Sequence, residues 1–164
     1  MPAQRTPRPK GDYMPEGRVV RHSEGEVYDP HWTFKMGSRT GGTFDFLVGT
    51  IPYLSGPPLH THEKQEDSFF ILESILTVQV GDDVFELEPG DFASVPPGVP
   101  HTFDNTHKDQ APVKACNLMT PSGLDQIFFD MSQAGDDFDK LVNALTRNGV
   151  TIVGPTLGQK LGLS

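Results

Sequence analysis

Cysteine is nearly missing from this chain: among 164 residues only Cys116 carries a thiol. A lone thiol cannot close an intramolecular disulfide, and it rules out a cysteine-rich zinc module; it fits a reducing compartment. Long apolar runs are missing as well. No stretch approaches the ~20 consecutive apolar residues that a membrane-spanning helix needs, and the first residues lack the basic-then-apolar pattern of a secretory leader. Together these lead to the expectation of a cytoplasmic protein with no membrane partner. Positive charge is the third shortage. Lys and Arg number 13 against 22 Asp and Glu, a formal net charge of -9. An acidic surface repels phosphate backbones and anionic lipid, which excludes nucleic acid and membrane as main partners.

What the chain has in quantity is turn chemistry. Its 17 glycines and 15 prolines are spread between short apolar runs, the pattern of an all-β domain rather than of disorder. The length suits one domain with a sizeable core. Residues 1–17, MPAQRTPRPKGDYMPEG, are proline-rich and basic without periodicity, and read as a flexible N-terminal arm. RVVRHSEGEVY and HWTFKMG each hold a short strand. Beyond residue 40 strand signals become regular: 43–51, a long run over 68–80 that divides near Ser74, then 84–88, 92–95, 101–105 and 113–120, separated by GDD, PGD and PPGVP turns. Such punctuation predicts a barrel or jelly roll over 18–134.

Residues 135–164 change period. Phe138, Leu141, Val142 and Leu145 recur at helical spacing, Asp136 or Asp137 can cap the start, and Asn148-Gly149 can end the helix. The apolar stripe of this C-terminal helix is expected to pack against the domain. The tail VTIVGPTLGQKLGLS is either an extra strand or a segment lying across a neighbouring subunit.

The chemistry concentrates in GPPLHTHEKQEDSFFIL, residues 56–72. On a strand, residues i and i+2 share a face, so His60 and His62 project together. Two adjacent imidazoles make half a site for a divalent transition metal. Carboxylates follow at Glu66 and Asp67, and a third imidazole, His101, opens a strand just after PPGVP. Three histidines and a carboxylate leave open positions on a metal that takes five or six ligands, as a catalytic ion requires. His22, His31 and His107 stand in polar loop contexts and read as solvated; Cys116 reads as a small hydrophobe.

HTHEKQE and GDFASVPPGVPHTFDN resemble the two signature motifs of the cupin superfamily. The second matches in full, with Gly90, Pro96, Gly98, His101 and Asn105 in place. The first departs twice: its glycine lies nearer, at Gly56, and its closing glycine is replaced by Ser74. The resemblance covers roughly residues 40–120 and is strongest to single-domain, quercetinase-like cupins. It implies an all-β cupin barrel, a double-stranded β-helix or jelly roll. It also implies one divalent ion (Fe, Mn, Ni, Co, Cu or Zn) on His60, His62, His101 and a carboxylate. Glu66 fits a forward count from His62, and Asp67 a backward count from Ser74. Strand parity separates them without choosing, because Phe69 and Ile71 on one face are as apolar as Phe70 and Leu72 on the other. Glutamate is the family's residue, so Glu66 is favoured as fourth ligand and as general base, with Asp67 the alternative.

Such a site suits a metal-dependent dioxygenase that brings dioxygen to an enol-bearing aromatic, flavonol-like or polyketide-like small molecule. Phe44, Phe46, Phe69, Phe70 and Phe103 lie on candidate barrel strands and suit an aromatic substrate or simply the core. Two other readings share the ligand set: a non-oxidative isomerase, cyclase or decarboxylase, and a small-molecule-binding protein without turnover. Cupins of this kind pair through sheet edges, which implies a homodimer.

Overall fold

Strands here stay short because turn residues end them every few positions, and the alternation within each run turns one face inward. The computed structural model describes residues 17–164; apart from Gly17, the expected arm lies outside the described residues. Eleven strands follow in chain order: β1 Glu26–Asp29, β2 Trp32–Met36, β3 Asp45–Ile51, β4 Pro58–His62, β5 Glu66–Glu73, β6 Leu76–Val80, β7 Asp83–Leu87, β8 Phe92–Val95, β9 His101–Asp104, β10 Val113–Thr120 and β11 Val150–Thr156. Three helices lie near the C-terminus, α1 Leu124–Ala134, α2 Phe138–Arg147 and α3 Leu157–Leu161. The strands form a six-stranded sheet, β1-β2-β3-β10-β5-β8, and a five-stranded sheet, β11-β4-β9-β6-β7. Every paired strand runs antiparallel to its neighbour. This is the expected all-β jelly roll.

The inward faces supply the core: Trp32, Phe34, Leu47, Ile51, Phe69, Ile71, Leu76, Val78, Val113, Ala115 and Met119 are buried in one cluster. Rings pack edge-on across it, Trp32 against Phe103 and Phe34 against Phe128. Of the phenylalanines expected on barrel strands, Phe69 and Phe103 meet in the interior at 5.0 Å between ring centres. Phe70 faces outward and is exposed, and Phe44 and Phe46 are half-buried.

The run 68–80 divides where expected. Ser74 takes φ +66 between β5 and β6, the left-handed conformation glycine adopts most readily. Gly56 shows the opposite constraint: a Cβ there would lie 1.9 Å from the carbonyl oxygen of Phe103. Only glycine lets the chain enter β4 this close to β9.

The helical region differs from the sequence reading in two ways. TPSGLDQIFFD contains a helix the turn-rich sequence did not suggest, α1, and it buries Leu124 and Ile127 in the barrel core. Its first turn is held by Asp45 on β3, which accepts hydrogen bonds from the backbone N–H of Gly123 and Leu124, both 2.8 Å. The expected helix is α2, capped by Asp137, whose side chain accepts from the Lys140 N–H. Its stripe is not the packing surface predicted. Phe138 and Val142 are exposed, Leu141 and Leu145 half-buried, and only Ala144 fully buried. The helix contacts α1 and β11, so its outer turn faces solvent. The tail resolves as an intramolecular strand: β11 pairs with β4, placing Val150 opposite His62 and Ile152 opposite His60.

Candidate metal centre

Two strands of one sheet and one of the other bring the polar groups together. His60 and His62 share the inward face of β4, and His101 on β9 is the direct cross-strand partner of His60. Ring centres lie 4.6 Å apart for His60–His101, 5.0 Å for His60–His62 and 5.4 Å for His62–His101. From the facing sheet, Asp67 on β5 reaches across, with Oδ2 3.1 Å from His101 Nε2 and 3.9 Å from His62 Nε2. Potential ligand atoms of His60, His62, Asp67 and His101 all lie within 4.8 Å of one another, and all four residues are buried.

Glu66 is not part of this group. Its position on β5 is exposed, and its carboxylate accepts a short hydrogen bond from Ser94 Oγ on the neighbouring edge strand. The parity argument explains the difference. Asp67, Phe69 and Ile71 form the buried face, and Glu66, Phe70 and Leu72 the exposed one. Register places Asp67 with the histidines and Glu66, which the forward count favours, on the outer face of β5, which is apolar without being core.

The donors are oriented from behind. His60 Nδ1 lies 2.8 Å from the Pro58 carbonyl and His101 Nδ1 2.9 Å from the Val99 carbonyl. Nδ1–H donation to these oxygens leaves each Nε2 turned inward. Asp67 Oδ1 accepts from Asn117 Nδ2 at 2.5 Å, and the same amide group donates to the Ser68 carbonyl at 3.1 Å. Asn117 was missed in the sequence, although its position signals it: it is the amide among the inward residues 113, 115, 117 and 119 of β10. His62 Nδ1 is buried without a hydrogen-bond partner.

Burial sets the protonation of the cluster. It lowers the pKa of His62 to about 4, against the opposing charge of Asp67. Burial and the neighbouring His101 lower that of His60. For His101 burial also pulls down, but the hydrogen bond and charge of Asp67 and the Val99 carbonyl outweigh it, and the net shift is upward. Neutral imidazoles beside a carboxylate are a donor set matched to a divalent ion, which would take the place of the shared proton between His101 and Asp67.

A cavity of about 330 Å³ adjoins the turn between His62 and Asp67, lined by residues that include Glu63, Lys64, Gln65, Gln126, Arg147 and Asn148. The other polar candidates lie elsewhere. His107 pairs with Glu86 at 2.8 Å on the surface. Asn105 is buried and its amide joins Gln110 and Ile51. Cys116 is half-buried.

Two facing antiparallel sheets enclosing three histidines and an aspartate define a β-barrel protein with a candidate metal centre. Residues 48–118 match the family model described as Cupin domain, so the chain is similar to the cupin superfamily over that segment. It is similar to quercetin 2,3-dioxygenase of Bacillus subtilis (strain 168), 26% identical over 89 residues, 52% of this chain and 26% of that protein. The chain therefore matches about a quarter of the length of that curated relative. Among solved structures, KdgF from Halomonas sp. superposes with a TM-score of 0.54 at 15% identity, covering 66% of this chain and 97% of that one. A predicted oxalate decarboxylase from Thermotoga maritima superposes with a TM-score of 0.50 at 16% identity, over 55% and 78% of the two chains. At these identities the structures share the fold. No helix among the described residues is long and apolar enough to cross a membrane.

Proposed function

We propose that this chain is a metal-dependent cupin enzyme of the dioxygenase type, acting on an enol-bearing aromatic or flavonol-like small molecule. His60, His62, His101 and Asp67 hold one divalent transition metal ion, with Asp67 in the position first given to Glu66. The observation that carries the proposal is the convergence of four buried donor groups within 4.8 Å, drawn from both sheets. Buried polar groups gathered without apolar compensation are costly unless paired or metal-bound, and a structural core has no use for three imidazoles in contact. When bound, the ion supplies Lewis-acid binding of an enolate or hydroxyl oxygen and a meeting place with dioxygen. The protein's own part is to orient the imidazoles through the Pro58 and Val99 carbonyls, while Asp67, were its carboxylate to leave the ion, would take up the acidic hydrogen of a substrate. The similarity to quercetin 2,3-dioxygenase supports the oxidative direction.

A second reading shares the ligand set: non-oxidative isomerase, cyclase or decarboxylase chemistry, for which the same ion would bind a substrate oxygen as a Lewis acid. Oxygen uptake separates the two. Protein reconstituted separately with Fe, Mn, Ni, Co, Cu and Zn should consume dioxygen in step with loss of a flavonol. Substrate conversion without oxygen uptake would replace the first reading by the second, and no conversion with any metal would leave the binding function alone.

The outer face of the six-stranded sheet supports the expected homodimer, which we place there rather than at a sheet edge. Phe70 and Phe92 are direct cross-strand partners, Leu72 flanks them, and all three are exposed. Cross-strand pairing continues the row through Cys116 to Val48. Apolar rows of this extent are characteristic of contact surfaces.

A further inference from the structure

Three of the four proposed ligands are buttressed from behind: His60 by the Pro58 carbonyl, His101 by the Val99 carbonyl and Asp67 by the Asn117 amide. His62 is the exception, its buried Nδ1 having no partner at hydrogen-bond geometry. Metal-bound histidines almost always donate the distal N–H to an oxygen, which fixes both tautomer and ring orientation. The turn between the ligands contains one buried side chain, Gln65, 8% exposed amid its exposed neighbours Glu63, Lys64 and Glu66. Burying a glutamine in a surface turn requires partners for its amide. Its Nε2 donates to the Pro121 carbonyl at 3.2 Å. This leaves Oε1 as the acceptor, and the turn sets Gln65 three residues after His62, whose buried Nδ1 is the donor without a partner. Space for the amide is kept by Gly123, where a Cβ would come within 3.1 Å of Gln65 Nε2.

We infer that Gln65 is a positioning residue of the metal centre: with the ion bound, its Oε1 accepts the Nδ1–H of His62 and aims that ring's Nε2 inward. This rests on the metal-centre reading above. Because Nε2 of Gln65 is anchored on Pro121, at the entrance to α1, and the residue also lines the adjoining cavity, the same amide links the helical hairpin and any cavity occupant to one metal ligand.

The test is a Co²⁺ titration of chelator-stripped protein in competition with a chromophoric chelator, following the absorption spectrum of the bound cobalt. Gln65→Leu removes both amide contacts and should lower Co²⁺ affinity by ~10–100-fold, the range for lost outer-shell partners, with an altered cobalt spectrum. Gln65→Glu keeps the acceptor and should stay within a few-fold of wild type with the wild-type spectrum. Gln65→Asn, which retains polarity but falls one methylene short, should weaken binding and guards against misfolding of the leucine variant. Wild-type affinity and spectrum in both Gln65→Leu and Gln65→Asn would overturn the inference, as would a loss confined to the melting temperature of the metal-free protein. Failure of the wild type itself to bind Co²⁺ would instead remove the metal-centre reading, and this inference with it.

Discussion

One step along β5 separates a carboxylate that reaches three imidazoles from one that reaches a surface serine. Side chains alternate across a strand, so Asp67 and Glu66 cannot both face inward. The consequence is measurable. Asp67→Asn should lose metal affinity by more than the ~10–100-fold associated with outer-shell partners, because a neutral amide replaces an anionic donor. Asn117→Leu should fall within that range, since Asp67 Oδ1 loses its 2.5 Å hydrogen bond. Glu66→Gln should bind metal as the wild type does and change stability by no more than ~0.5 kcal/mol, as expected of a surface site. Isothermal titration with Zn²⁺ checks all three, and the reverse order for Asp67 and Glu66 would contradict the assignment.

Among the elements, α1 depends on a carboxylate that is costly to ionise. Asp45 is buried and caps the first turn, where aligned N–H groups favour an anion. Burial nonetheless dominates, with the charge of Asp125 adding to it, and the pKa of Asp45 rises to about 6 despite the opposing hydrogen bonds from Leu124, Gly123 and Asp125. A carboxyl with a folded pKa above its unfolded value near ~3.9 binds its proton more tightly in the folded state. Its contribution is therefore most favourable in acid and is lost as pH rises through about 6. The stability of wild type relative to Asp45→Asn should fall by on the order of 1–3 kcal/mol between pH 4 and pH 7, read from urea denaturation at each pH. A flat or rising difference would show that the buried carboxyl is not strained by ionisation.

The element scale also shows why α1 escaped the sequence. Pro121 and Gly123 precede it as turn residues do, and its capping group, Asp45, comes from a strand 78 residues earlier rather than from a local cap. No local pattern carries that information. By contrast, Asp137 caps α2 from its own chain neighbourhood, and that helix was legible. Its apolar stripe misled for a different reason: periodicity reports an amphipathic helix, but burial depends on what lies opposite, and nothing among the described residues buries Phe138.

For the whole molecule, the antiparallel two-sheet architecture and the His60–His62–His101 convergence were readable from turn spacing, strand parity and the cupin-like motifs. Which carboxylate faces inward was not, because Phe70 and Leu72 make the outer face of β5 look like core. That ambiguity is itself informative: an apolar outer face, with Phe70 opposite Phe92, is the surface proposed for self-association. Light scattering at micromolar concentration should report a homodimer for wild type and a monomer for Phe92→Lys, which places a charge on the most exposed ring of the row. A monomeric wild type would contradict the assembly.

The proposed function requires one divalent ion among His60, His62, His101 and Asp67. Metal content of the protein purified without chelators, beside His101→Ala treated identically, tests it most directly. The expected result is about one equivalent of transition metal per chain in the wild type and little in the variant; a metal-free wild type, or a variant that keeps its full complement, would contradict it.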